Sequence, residues 1–144
     1  MPAADRRPRV LFLCTGNSCR SQMAEGFARA RKGGRLDAFS AGTDPHGLNR
    51  LAVRAMAERG IDISGHASKR PADIGGEFDL VVTVCGAADE RCPSFPGARI
   101  VHAGFDDPPR LAAAEPDDEA AMPHYRRVRD EIEAFIESLD TLLP

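Results

Sequence analysis

Val10-Leu11-Phe12-Leu13 is an uninterrupted apolar run that passes straight into Cys14-Thr15-Gly16-Asn17-Ser18-Cys19-Arg20, a loop of small and polar residues. A segment apolar at every position reads as a strand covered on both faces, the pattern of a parallel sheet. Beyond the loop, Ser21 opens a helix with Met23, Ala24, Phe27 and Ala28 on one face, and Gly33-Gly34 ends that unit. Leu36 to Ser40 is a second strand, closed by Ala41-Gly42. Asn49 caps a second helix carrying Leu51, Ala52, Ala55 and Met56, with Gly60 at its end. Phe78 to Val84 is the clearest strand, rich in β-branched residues, and Ile100-Val101-His102 is a weaker fourth. Ala112 to Ala121 reads as an acidic, Ala-rich surface insertion. From Pro123 onward, Tyr125, Val128, Ile132, Phe135, Ile136 and Leu139 trace a long amphipathic helix. Strands alternating with helices make a single α/β domain with a parallel sheet covered on both faces. Residues 1–8 read as a flexible, solvated basic arm and residues 9–144 as the domain.

Ligands of such sheets sit beyond the carboxyl ends of the strands. Cys14 follows the first strand, Cys85 the third and, slightly further on, Asp107 the fourth, so these three side chains are expected to converge on one edge. The net charge of −3 offers no broad basic surface for nucleic acid, and no apolar run reaches the length of a membrane span. The first nine residues lack the apolar centre of a secretory signal, so a cytoplasmic location is expected. In a reducing cytosol, the four cysteines, Cys14, Cys19, Cys85 and Cys92, are more often catalytic, redox-active, metal-binding or buried than structural bridges.

The loop from Cys14 to Arg20 suits a tetrahedral anion. Small residues let its backbone N–H groups turn inward, and the following helix directs its positive end to the same point. Arg20 can clamp two oxygens. Gly16 permits positive φ and Asn17 tolerates the left-handed conformation. The same donors favour a thiolate at Cys14, and the Ser21 hydroxyl can donate to that sulfur. The competing reading of Cys14 is a buried structural thiol at a strand end; for Cys19, a packed bystander is the better reading. Cys85 and Cys92 have six residues between them, too wide for the usual zinc pair, and no further ligands accompany them; no metal is expected. Two inert core thiols are the plain alternative. Asp107 can serve as a general acid or simply as a turn residue before Pro108.

Leu13 to Gly26, read with Ser40-Ala41-Gly42, Asp62 to His66, the Cys85/Cys92 pair, Gly104 to Pro108 and Tyr125 to Ile132, resembles the thioredoxin-coupled arsenate reductases of the low-molecular-weight tyrosine phosphatase superfamily. The resemblance covers nearly the whole chain. It implies a four-stranded parallel sheet in the order 2-1-3-4, flanked by helices. It also implies that Cys14 attacks arsenate, that Cys85 attacks Cys14 to release arsenite, and that Cys92 then takes the disulfide to Cys85–Cys92, which thioredoxin reduces. It selects Asp107 over Asp106 as the acid, and Thr15, Gly16, Asn17, Ser18, Cys19, Arg20 and Ser21 as the oxyanion loop. Family members can hold potassium on an Asn, a Glu, a Ser and an Asp. Asn17, Glu25 and Ser40 match three of these, but Lys69 stands at the position of the Asp. An ammonium group there repels a second cation, so no cofactor is expected. His66 reads as a supporting residue. His46, His102 and His124 carry no catalytic assignment.

Residues 87–91 are compatible with a short helix. A helix over 85–92 would hold the two Cys Cα atoms roughly 10 Å apart, beyond the roughly 7 Å a disulfide spans, so oxidation is expected to unwind it. The partners expected are thioredoxin and arsenate or phosphate, with neither nucleic acid nor membrane, for a monomeric protein. Two other functions use the same loop: an aryl or phosphotyrosine phosphatase that needs only Cys14, Arg20 and Asp107, and a non-enzymatic oxyanion sensor.

Overall fold

The computed structural model describes residues 7–84 and 95–143. Strand β1 (Arg9–Cys14) lies inside a four-stranded sheet of order β2-β1-β3-β4. It pairs in parallel with β2 (Asp37–Gly42), Phe12 opposite Ser40 and Cys14 opposite Gly42. On its other side it pairs in parallel with β3 (Leu80–Thr83), Phe12 opposite Val82. Strand β4 (Arg99–His102) runs parallel to β3 at the edge. The order expected from the resemblance is the one observed.

The apolar run of β1 is explained by its two faces. Val10, Phe12 and Cys14 enter the larger core with Met23, Phe27, Met56, Val128 and Ile132. Leu11 and Leu13 enter a smaller cluster on the opposite face with Ala41, Phe78 and Val81. Each large side chain fully buried there contributes about 1.5–3 kcal/mol. The larger core is roofed by α1 (Arg20–Lys32), α2 (Arg50–Ala57) and α5 (Asp118–Glu137). The smaller cluster is flanked by α3 (Pro71–Ile74) and closed by edge-to-face contacts of Phe78 with Phe39 and Phe95. The Arg9 guanidinium rests 4.8 Å from the centre of the Phe39 ring. The short helix α4 (Pro108–Leu111) leads from β4 toward α5, and a 3₁₀ turn, Leu139–Leu142, follows α5. Among the described residues, no helix is long and apolar enough to cross a membrane.

Asn49 caps α2 as expected, accepting from the N–H groups of Leu51 and Ala52. Several boundaries differ: the third strand is Leu80–Thr83 rather than Phe78 to Val84, and the second begins at Asp37 rather than Leu36. Helix α1 begins at Arg20 rather than Ser21. The second strand runs two residues past Ser40, because pairing with β1 continues to Cys14–Gly42. The last helix starts at Asp118, five residues before Pro123. Asp117 supplies its cap by accepting from Ala120 N–H at 2.9 Å, and Asp118 and Glu119 place negative charge in its first turn. Pro123 therefore sits inside the helix, without an N–H for the carbonyl four residues back. The acidic stretch also clasps α2: Asp118 pairs with Arg50 at 2.6 Å and Glu119 with Arg54 at 2.6 Å.

Candidate active site

The loop between β1 and α1 turns its carbonyls outward, and each has a partner. Thr43 N–H donates to Cys14 O, Asp44 N–H to Thr15 O, His46 N–H to Gly16 O, Asn49 N–H to Ser18 O and Met23 N–H to Cys19 O, at 2.8–3.2 Å. The Ser68 hydroxyl also reaches Gly16 O, and Gln22 Nε2 donates to Asn17 O at 3.0 Å. A trans peptide points each N–H opposite the preceding C=O. Tying six consecutive carbonyls to the surroundings thus directs the loop amides to the other side, which is the construction of an anion cradle. The N-terminus of α1 opens onto the same loop with no capping side chain and no acidic residue in its first turn. Its positive end is left for a ligand.

Asn17 adopts φ = 48°, the left-handed conformation anticipated for it. Gly16 does not: its φ is not positive. A Cβ on Gly16 would fall 2.8 Å from His46 Nδ1. Asn17 Nδ2 donates to Ser21 Oγ at 2.9 Å, which commits that hydroxyl oxygen as an acceptor.

Cys14 and Cys19 are both buried. Burial pushes the Cys19 thiol far above its ordinary range, the charge of Asp107 adds to the rise, and Arg20 opposes it. These influences favour the neutral thiol at Cys19. Arg20 Nη1 donates to Phe105 O at 3.0 Å, and Arg20 Nε lies 3.8 Å from Asp107 Oδ1. Asp107, at the start of α4, is thus brought to the loop from the end of the fourth strand. Its neighbour Asp106 turns instead to Arg127, at 2.9 Å.

Behind the loop, Glu25 is 2% exposed and accepts from Ser40 Oγ at 2.5 Å. Arg29 Nε stands 3.1 Å from its Oε2, His66 Nδ1 3.6 Å from the same oxygen, and Lys69 Nζ 3.7 Å from Oε1. Burial draws His66 below the usual imidazole value, with Glu25 opposing. Asn17 Oδ1 already accepts from Lys69 N–H at 2.9 Å and Gln22 Nε2 at 3.1 Å. This donor set does not fit a potassium ion: an ammonium and a guanidinium face the carboxylate, and the amide oxygen is engaged.

A model of the family described as low molecular weight phosphotyrosine protein phosphatase matches residues 9–143. The chain belongs to this family. Within the phosphatase family it resembles relatives named as arsenate reductases. The arsenate reductase of Halalkalibacterium halodurans is 51% identical over 125 residues, covering 85% of this chain and 88% of the relative. A solved arsenate reductase in the phosphate binding state superposes with a TM-score of 0.79 at 29% identity, covering 95% of this chain and 99% of that one. The thioredoxin-dependent arsenate reductase of Corynebacterium glutamicum superposes with a TM-score of 0.68 at 25% identity, covering 92% of this chain and 59% of that one.

On this phosphatase-family scaffold, β3 delivers Val84 beside β1, its N–H donating to Leu13 O at 3.0 Å. Cys85, Cys92 and the helix expected between them lie outside the described residues. Several site residues went unnoticed in the sequence. Gln22 is fully buried and bonds Asn17 twice, Ala67 O at 3.0 Å and His66 at 3.0 Å. Residues 43–49 form the outer brace of the loop, and Tyr125 OH accepts from Asn49 Nδ2 at 3.2 Å. Helical spacing assigned Tyr125 to a helix face, and Gln22 fell within the first helix without a role; neither reading could say that the loop rests on them.

Proposed function

We propose that this protein reduces arsenate to arsenite, acting as a cytoplasmic monomer with electrons from thioredoxin. The observation that carries the reading is the outward-bonded loop from Cys14 to Cys19, opening on an uncapped helix start with Arg20 and Asp107 beside it. The arsenate reductase names of the relatives and the thioredoxin dependence of one neighbour support the choice of substrate and reductant.

Thr15, Gly16, Asn17, Ser18, Cys19, Arg20 and Ser21 hold the arsenate oxygens. Arg20 and the amides stabilise charge on both the oxyanion and the Cys14 sulfur. Cys14 Sγ attacks arsenic, an As–S bond forms, and one oxygen leaves as water with a proton from Asp107. The Cys85 thiolate attacks Cys14 Sγ. The As–S bond breaks with its electron pair passing to arsenic, so As(V) becomes As(III) and the two sulfurs become a disulfide. Cys92 attacks Cys85, freeing Cys14 and forming Cys85–Cys92, and the thioredoxin dithiol returns two electrons to that bond.

Aryl phosphate hydrolysis is the second reading, because Cys14, Arg20 and Asp107 suffice for it. The chain has no Trp, and its one Tyr, Tyr125, is buried against Asn49, so no aromatic wall is offered to a phosphotyrosine ring by those residue types. The deciding assay compares arsenite formation with thioredoxin, thioredoxin reductase and NADPH against phosphate release from an aryl phosphate. Rapid phosphate release with no arsenite would refute the reductase assignment.

A further inference from the structure

Glu25 is a buried carboxylate that no step above uses. Among the described residues, the charged or titratable groups paired with it are Arg29 from the next turn of α1 and His66 and Lys69 from the segment between α2 and α3. A buried carboxylate is costly unless compensated. Lys69 differs from the other two because its backbone also holds the oxyanion loop. Its N–H donates to Asn17 Oδ1 at 2.9 Å and its carbonyl accepts from Gly42 N–H at 2.7 Å. Asn17 is the one non-glycine residue with positive φ among the described residues. The Lys69 side chain is only 25% exposed, and Nζ also donates to Ala67 O at 3.1 Å, which does not describe a freely solvated lysine.

We propose that Lys69 is a positioning residue whose ammonium serves as a resident counter-ion to Glu25, fixing Asn17 and the oxyanion loop without a mobile alkali cation. The inference rests on the loop binding a tetrahedral oxyanion and not on arsenate turnover. At 3.7 Å, Nζ acts on Glu25 through charge rather than through a directed hydrogen bond, so a guanidinium at position 69 should substitute for it.

The test uses the reduced full-length chain in potassium and sodium chloride at matched ionic strength, with thermal melting and calorimetric titration of inorganic phosphate. The wild type should melt and bind phosphate identically in the two salts. Lys69→Met, which keeps the length and removes the charge, should bind phosphate about tenfold more weakly in sodium, a change of about 1.4 kcal/mol. Lys69→Arg should restore wild-type affinity. Lys69→Asp should gain melting temperature and affinity in potassium over sodium. Stabilisation of the wild type by potassium over sodium would overturn the proposal, as would a Lys69→Met variant equal to wild type in both salts. If Lys69→Met fails to fold, Lys69→Arg decides, wild-type affinity supporting the role and its loss opposing it. Absence of phosphate binding by the wild type would count against the loop as an oxyanion site, while the melting comparison would still judge Lys69.

Discussion

Replacing Gly42 by Ala should damage the oxyanion loop from the last residue of β2, two residues beyond Ser40. A Cβ built on Gly42 lies 2.8 Å from Asn17 N and 3.0 Å from Asn17 Cβ, and it collides with the Thr15 carbonyl oxygen. Two of these three atoms are main chain, and Gly42 is itself held by strand pairing opposite Cys14 and by its bond to Lys69 O. Neither side can yield as a flexible side chain would, so the loop must move. Overpacking of this kind costs about 1–3 kcal/mol. For a chain of this size the melting temperature should fall by about 3–10 °C. A displacement of about 1 Å at Thr15 and Asn17 should lower arsenate turnover about 100-fold. Gly34→Ala is the matched control: nothing lies within 4 Å of its Cβ and its φ is not positive, so it should be neutral. Calorimetric melting, phosphate titration and the coupled arsenite assay read these outcomes. A Gly42→Ala variant with wild-type melting and phosphate affinity would refute the steric argument.

Cys14→Ser should abolish both arsenite formation and aryl phosphate hydrolysis; substantial turnover of either by that variant would remove Cys14 from the mechanism. Cys85→Ala and Cys92→Ala should each stop multiple-turnover reduction in the thioredoxin-coupled assay and leave aryl phosphate hydrolysis intact, and normal coupled turnover by both would eliminate the relay. Glu58 bears on acid stability. Its hydrogen bonds to Arg126 and then Arg129 hold its carboxyl at about 2, below the ordinary 4.5. In that window the unfolded chain binds more protons, so the contribution is complete above about pH 5 and is lost as pH falls toward 2. Denaturant melts between pH 6 and 2.5 should show a shallower decline for Glu58→Gln than for wild type, and identical slopes would show that the pair has no linkage to stability.

The sheet was legible wherever burial on both faces left an uninterrupted apolar run, as in β1 and β3. Caps with a local mechanism were legible too: Asn49 has the residue type and position that an N-cap demands, and Asn17 the tolerance for left-handed φ. The positive φ expected at Gly16 is not adopted, and the atoms nearest a Cβ there belong to the exposed side chain of His46, thirty residues away in sequence. The start of α5 was missed because Pro123 looked like a first-turn residue, whereas Asp117 supplies the cap and the helix absorbs the proline. The long-range brace of the oxyanion loop, through residues 43–49, Gln22, Ser68 and Tyr125, has no periodicity. Contacts of that kind appear only once the chain is folded back on itself.

Asn49 carries a consequence for the timing of assembly. Its N–H holds Ser18 O, its Oδ1 starts α2, and its Nδ2 reaches the hydroxyl of Tyr125 in α5. The loop ends at Arg20, yet Tyr125, the last member of this support, lies more than a hundred residues later in sequence. A nascent chain therefore makes Cys14 well before the helix that completes this support. This support is complete only once α5 has been made and its Tyr125 hydroxyl meets Asn49.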